Sequence, residues 1–245
     1  MTGLVVVIIG VVVGTIGWAL LRTSGAGWSI GRLLSAAPQR SLEEAIAMAA
    51  RGELAYIRLH GRIHSDEEFP SDDDKPLVYR RRRLQRRVTR SLGLTDWQTF
   101  DEERLAVAFS LSERGERVVI DVEGLGDGLV VVPRLSSGVA ADLSPESLRE
   151  PFPEMAAHVP VRLRIEQIAA TDHGTASGVP RRTASGETVL GPGLGRPLIL
   201  TTLAIDEAMR ILGSDHRTRL LAAAGLLAVA PALVVVGLLV AFLGP

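Results

Sequence analysis

IRLHGRIH, residues 57–64, sets Ile57, Leu59, Gly61 and Ile63 in alternation with Arg58, His60, Arg62 and His64. A period of two puts the first set on one side of a strand and the second on the other, so the segment predicts a β-strand with a buried face and a wet one. The pattern recurs downstream. Leu105, Val107, Phe109 and Leu111 alternate with small or polar residues, and Val118, Ile120 and Val122 repeat the pattern after a turn at residues 112–116, which predicts a hairpin. Val161, Leu163 and Ile165 alternate with Arg162, Arg164 and Glu166 and predict one more half-buried strand. Shorter strands are expected at residues 129–132, 188–190 and 198–202, and a strongly basic strand or strand pair at 77–88.

Between these strands the sequence is punctuated by turns and two short helices. Ser41 and Glu44 have capping-box spacing, and Leu42, Ala45, Ile46 and Ala49 form the apolar stripe of a helix that Gly52 can end. Residues 206–212 predict a second helix, stopped by Gly213. Residues 69–76 are acidic and turn-rich, and the Gly-, Thr- and Ser-rich residues 171–186 read as a mobile loop. About seven or eight strands with few helices imply an α+β, mainly antiparallel domain, barrel- or sandwich-like.

This domain lies between two apolar segments. Residues 3–21 carry no charge and are dominated by Val, Ile and Leu; such a run of about 19 residues matches a hydrocarbon core of roughly 30 Å. Residues 220–243 form a second uncharged run rich in Leu, Ala and Val, with Pro231 inside it, which a membrane helix tolerates. A cleaved signal peptide is the rival reading of the first run, but no basic residue precedes it and no small-residue cleavage site stands before Arg22. The expected organisation is a transmembrane helix at 3–21, a juxtamembrane linker at 22–40, a β-rich domain at 41–213 and a transmembrane helix at 220–243. Arg22, Arg32 and Arg40 follow the first run and Arg210, Arg217 and Arg219 precede the second. The positive-inside rule therefore places the domain in the cytoplasm and both termini outside.

Composition excludes several classes of chemistry. A net charge of -1, from 27 Lys+Arg against 28 Asp+Glu, provides no global field toward nucleic acid, and no nucleic-acid partner is expected. Without cysteine there is no thiolate nucleophile, no disulfide and no cysteine-containing zinc site. Lys75 is the sole lysine, an arginine bias read as that of a GC-rich, prokaryotic genome, so the plasma membrane of a prokaryote is the expected location.

Each remaining cluster has a plain structural alternative. His60 and His64 lie on one face of a strand, roughly 13 Å apart at about 3.3 Å per residue, too far to share an ion. Asp66, Glu67, Glu68, Asp72, Asp73 and Asp74 lack EF-hand spacing and read as a solvated loop. Gly124, Gly126 and Gly128, and likewise Gly191, Gly193 and Gly195, read as turns because neither set opens a helix. No GxSxG nucleophile setting occurs, so no catalytic, cofactor or metal residue is assigned. The densest charge in the chain is Arg80, Arg81, Arg82, Arg83, Arg86, Arg87 and Arg90. These arginines are candidates for contact with anionic lipid or a protein partner, at about 1 kcal/mol per basic residue near an anionic leaflet. The alternative is an internally paired strand, with the preceding acidic loop as partner.

The order of features resembles a known family. An apolar span, a short helix, RLHGRI at 58–63, KPLVYRRRRLQ at 75–85, Trp97, FSLSERGERVVIDVEG at 109–124 and GRPLILTTLAIDEAMRIL at 195–212 precede a second span. That arrangement resembles the GIDE family, whose domain is also called the beside-a-membrane (BAM) domain. It sits between two spans in mitochondrial and chloroplast membrane-anchored E3 ubiquitin ligases, and in related two-span prokaryotic proteins. The resemblance departs at Leu77, where the family commonly has cysteine, and in the RING domain, whose zinc-binding cysteines have no counterpart here. It therefore implies a membrane-anchored interaction or scaffold domain without autonomous catalysis. Its partners are the bilayer and an unidentified protein. The alternative it implies is a component of an E3-ligase-like or other membrane enzyme that needs a partner for activity.

Overall fold

The computed structural model describes residues 2–23, 25–71, 73–89, 95–143 and 155–243; Asp72 and Arg90, named above, lie outside them. The chain divides into two compact units, a helical one from residues 1–36 and 205–245 and a β-rich one from residues 37–204.

The helical unit contains α1 (Thr2–Thr23), α2 (Gly25–Ala36) and α4 (Ile205–Leu243). Twelve residues of the expected linker thus form a helix, α2. The helix expected to stop at Gly213 instead continues into the second apolar run as one helix of 39 residues. One glycine costs a helix only about 1 kcal/mol relative to alanine, which is too little to end it when no left-handed turn follows. Helices α1 and α4 pack antiparallel along a seam of small residues. A Cβ on Gly10 would lie 2.8 Å from Val234 and 3.1 Å from the Ala230 carbonyl, and one on Gly237 would lie 2.8 Å from the Val7 backbone nitrogen. Buried positions recur every seven residues, at Gly3, Gly10 and Gly17 and at Ala230 and Gly237, the spacing that keeps two helices in contact along their length. Outside the seam the surface is Leu4, Val5, Ile8, Val12, Val235, Leu239 and similar residues, all exposed.

The β-rich unit opens with α3 (Leu42–Ala50). Its N-cap Ser41 accepts from the Glu44 amide at 3.1 Å while the Glu44 carboxylate accepts from the Ser41 amide at 3.1 Å. Leu42, Ala45 and Met48 turn inward to the common core. Among the described residues twelve strands follow: β1 (Ile57–His64), β2 (Phe69–Pro70), β3 (Pro76–Thr89), β4 (Thr95–Ala106), β5 (Ser110–Glu113), β6 (Glu116–Ile120), β7 (Leu129–Val130), β8 (Arg134–Val139), β9 (Pro160–Ala169), β10 (His173–Arg182), β11 (Thr188–Gly191) and β12 (Ile199–Thr201). Strands β1, β5, β6, β11 and β10 pair in that order, and β10 pairs back onto β1, closing a five-stranded barrel. All of these pairs are antiparallel except β6 with β11. This is the Greek-key order of an OB-type barrel. Strands β12 and β7 extend it past β10, joined by a second parallel pair. Inserted between the barrel strands is a second, half-barrel sheet in which β3 lies between β4 and β9, with β8 beyond β9 and β2 on the β4 side.

β1 has the expected inward face, with Ile57, Leu59, Gly61 and Ile63 all buried. The hairpin is tighter than expected. Residues 110–113 pair with 116–119, around Arg114 and Gly115 at φ 52° and 91°, the two positive φ values of a type I′ turn. Leu105 belongs to β4 instead. Residues 171–186, expected as a mobile loop, contain β10, whose residues 174–180 are all buried. Their small side chains reflect crowding: a Cβ on Gly178 would lie 2.7 Å from the Gly191 carbonyl and 3.0 Å from Leu198. Glycine here serves close approach between strands rather than flexibility.

Candidate functional site

The arginine run lies on β3, flanked by β4 and β9. Alternation along a strand divides it. Arg81, Arg83 and Arg87 share one face with Tyr79 and Gln85, while Arg80, Arg82 and Arg86 share the other with Leu84. The run is therefore two surfaces. On the even face, Arg82 donates to Glu103 at 3.4 Å, Arg86 donates to Gln98 at 3.0 Å and 3.2 Å, and Arg80 lies over the Phe69 ring at 5.9 Å.

The odd face is an ion cluster. Register sets Arg81 opposite Glu166, Arg83 opposite Arg164 and Gln85 opposite Arg162 on β9. Like charges directly opposed would destabilise the pair, and Glu166 resolves that conflict. Its carboxylate accepts from Arg81 Nε at 2.8 Å, from Arg83 Nη2 at 2.9 Å and 3.0 Å, and from Arg164 Nε at 3.0 Å. Arg81 and Glu166 are each only 2% exposed. Arg81 Nη1 turns to the turn after β6, donating to the Gly126 carbonyl and to Asp127 Oδ1, both at 2.9 Å. Farther along the same face Arg162 donates to Gln85 at 2.7 Å, Gln85 donates to Thr99 at 3.0 Å, and the Arg162 guanidinium lies 4.4 Å from the Trp97 ring centroid. This is a cation–π contact.

The two arginines nearest Glu166 differ electrostatically. Burial works against the charge of Arg81, but Glu166, Tyr79 and Asp127 together outweigh it and the pKa rises. For Arg83 burial prevails: Glu166 opposes it, the neighbouring Arg81 and Arg164 add to it, and the pKa falls. One buried carboxylate is thus shared among more positive charge than it can neutralise.

Sequence reasoning selected the β3 arginines and missed Glu166 and Asp127, which bind Arg81 and Arg83, and Arg164, Arg162 and Trp97, which complete the same face. The available signal was the alternation of Arg162, Arg164 and Glu166, read as a wet face. Instead Glu166 is buried and Leu163 and Ile165 are only half-buried. Of the acidic loop, Asp73 binds Arg134 on β8 at 2.6 Å, and that guanidinium holds its carboxyl below the usual value.

The histidines of β1 have other partners. His60 Nδ1 lies 3.1 Å from Thr175 Oγ1, and its ring stacks on His173 at 6.1 Å. His64 Nε2 lies 3.5 Å from Asp66, but the nearby Ser110 hydroxyl donates to the His64 backbone carbonyl, away from the ring. Among the described residues no three His, Asp or Glu side chains converge as a metal site would need. Gly126, at φ 48°, lies in the turn that carries Asp127 to Arg81. Compared with known protein families, curated proteins and solved structures, the chain matches none.

Among the described residues one helix, Ala224–Phe242, is long and apolar enough to cross a membrane, with mean hydropathy 2.6 and only 11% of its span buried. The apolar stretch of α1, Gly3–Ala19, is shorter.

Proposed function

We propose that the protein is a two-span, membrane-tethered interaction module of the GIDE type, without catalysis of its own. The observation that carries this reading is the inverted polarity of the helical unit. Glycine and alanine fill the seam between α1 and α4, while Val, Ile, Leu and Phe242 face outward. In water that arrangement would expose a broad apolar surface and bury almost none. In lipid it is favourable, because small residues let helix backbones approach and tails solvate the rest. The packing of α1 along α4 supports a second span despite its shorter apolar stretch, since a helix bound to a spanning partner shares its environment. The β-rich unit then stands on the side of the six flanking arginines, the cytoplasmic side of a prokaryotic plasma membrane. There it offers its surface to anionic lipid or a protein partner.

The test is extraction of membranes from expressing cells. The full chain stays in the pellet through alkaline carbonate and 1 M-class salt washes and leaves only with detergent. Release by carbonate would show a peripheral protein and end the proposal.

A further inference from the structure

Asp127 has an unusual position. Its side chain is 89% exposed, yet its Oδ1 accepts from Arg81 Nη1 at 2.9 Å and lies 3.8 Å from Arg83 Nη1. Three guanidiniums, those of Arg81, Arg83 and Arg164, meet two carboxylates, Glu166 and Asp127. Glu166 is locked in by all three. Asp127 is held by one short bond and faces water, where an ion pair is screened and contributes little. Arg83 Nε is buried and has no hydrogen-bond partner. If Asp127 swings out into solvent, Arg81 Nη1 and Arg83 Nη1 both lose the carboxylate oxygen they share, and two positive charges are uncompensated.

We infer that Asp127 is an internal occupant of an anion site formed by Arg81 and Arg83, and that a phosphate monoester dianion takes its place. Charge selects the ligand: a dianion neutralises the two charges that remain once Asp127 leaves. With Arg81 Nε and Nη2 and Arg83 Nη2 engaged by Glu166, the Nη1 groups of Arg81 and Arg83 supply the N–H donors for the phosphate oxygens. The phosphate group of phosphatidic acid and free inorganic phosphate present the same chemistry. The inference rests on the reading of the β3 arginines as a contact surface, and it narrows that surface to the odd face. Arg80, Arg82 and Arg86 point away from the site.

The test titrates the full chain, in neutral detergent, with inorganic phosphate, with dihexanoyl phosphatidic acid and with dihexanoyl phosphatidylcholine. Because micelles replace the bilayer, the assay reads the anion site whether or not the chain spans a membrane in cells. Asp127→Asn removes the competing charge and is expected to tighten phosphate binding about fivefold, whereas Arg83→Gln weakens it about tenfold or more. Arg82→Gln/Arg86→Gln on the opposite face leaves it within about twofold. Binding of phosphatidic acid alone assigns the site to lipid; binding of both ligands assigns it to the phosphate group itself. Equal affinity for phosphatidylcholine, or binding to Asp127→Asn no tighter than to the unaltered chain, overturns the inference. So does an even-face double variant that loses as much as Arg83→Gln. Since Asp127 is exposed, its variant stays informative even if Arg83→Gln fails to fold.

Discussion

Glu166→Gln tests whether the half-barrel is organised around one buried carboxylate. Glu166 is 2% exposed and accepts from three guanidiniums. The amide keeps the shape and one acceptor oxygen but leaves Arg81 buried, with only the solvent-facing Asp127 as counter-charge. Breaking a buried pair on one side costs about 3–5 kcal/mol, and the retained oxygen argues for the lower end. For a unit of this size each kcal/mol moves Tm by about 2–4 °C, so a drop of about 6–12 °C is expected. The control is Glu103→Gln, which breaks the part-exposed pair with Arg82 at 3.4 Å; exposed pairs contribute about 0–1 kcal/mol, and Tm should fall by no more than about 4 °C. Thermal melts of the full chain in neutral detergent, followed by near-UV circular dichroism, read both variants. Equal shifts would refute the claim that Glu166 is the organising charge. So would abolition of the Glu166→Gln effect by salt, because burial shields the cluster from screening.

Further expectations concern packing and pH. Gly237→Leu drives a branched side chain into the Val7 backbone and should loosen the helix pair by about 1–3 kcal/mol, read as lost disulfide trapping between cysteines placed at Val7 and Val234. Undiminished trapping would argue against a close seam. Gly128→Ala places its Cβ against the Leu198 carbonyl in the barrel wall, and the variant should fail to yield a cooperative melt; a native-like melt would contradict the packing of β7 on β12. Both tyrosines are buried, and burial raises their pKa, that of Tyr56 to about 12, with Arg196 opposing the rise. A raised folded pKa contributes stability that is complete below 10, the unfolded value, and lost as pH climbs toward 12. Tyrosinate absorbance should therefore stay flat through pH 10 and rise together with unfolding, and a native-state midpoint at 10 for either ring would refute their burial.

Local signals in the sequence predicted the elements they govern. The alternation in residues 57–64 gives β1 with the right face inward, Ser41 and Glu44 cap α3, and Arg114–Gly115 make the hairpin turn. Failures arose where the cause lies across the fold. β10 is poor in large apolar residues because its neighbours leave no room for them, so composition imitated a loop. β4, TDWQTFDEERLA, has no apolar period, and its strand state depends on pairing with β3, where Glu103 meets Arg82 and Glu102 meets Arg83. The site shows the same division. Parity alone separates the β3 arginines into two faces, yet nothing local shows that Glu166, on another strand, buries itself among them. Still less could the sequence reveal that a turn after β6 brings Asp127 to Arg81.

The proposed topology is an antiparallel pair of membrane spans with the β-rich unit on one side of the membrane and both chain ends on the other. Because the chain has no cysteine, single cysteines introduced at Thr2, Ser136 and Pro245 can be probed with a membrane-impermeant maleimide in intact cells. The account predicts labelling at Thr2 and Pro245 and protection at Ser136 until the membrane is permeabilised. Labelling of Thr2 and Pro245 from opposite sides, or of Ser136 in intact cells, would contradict it.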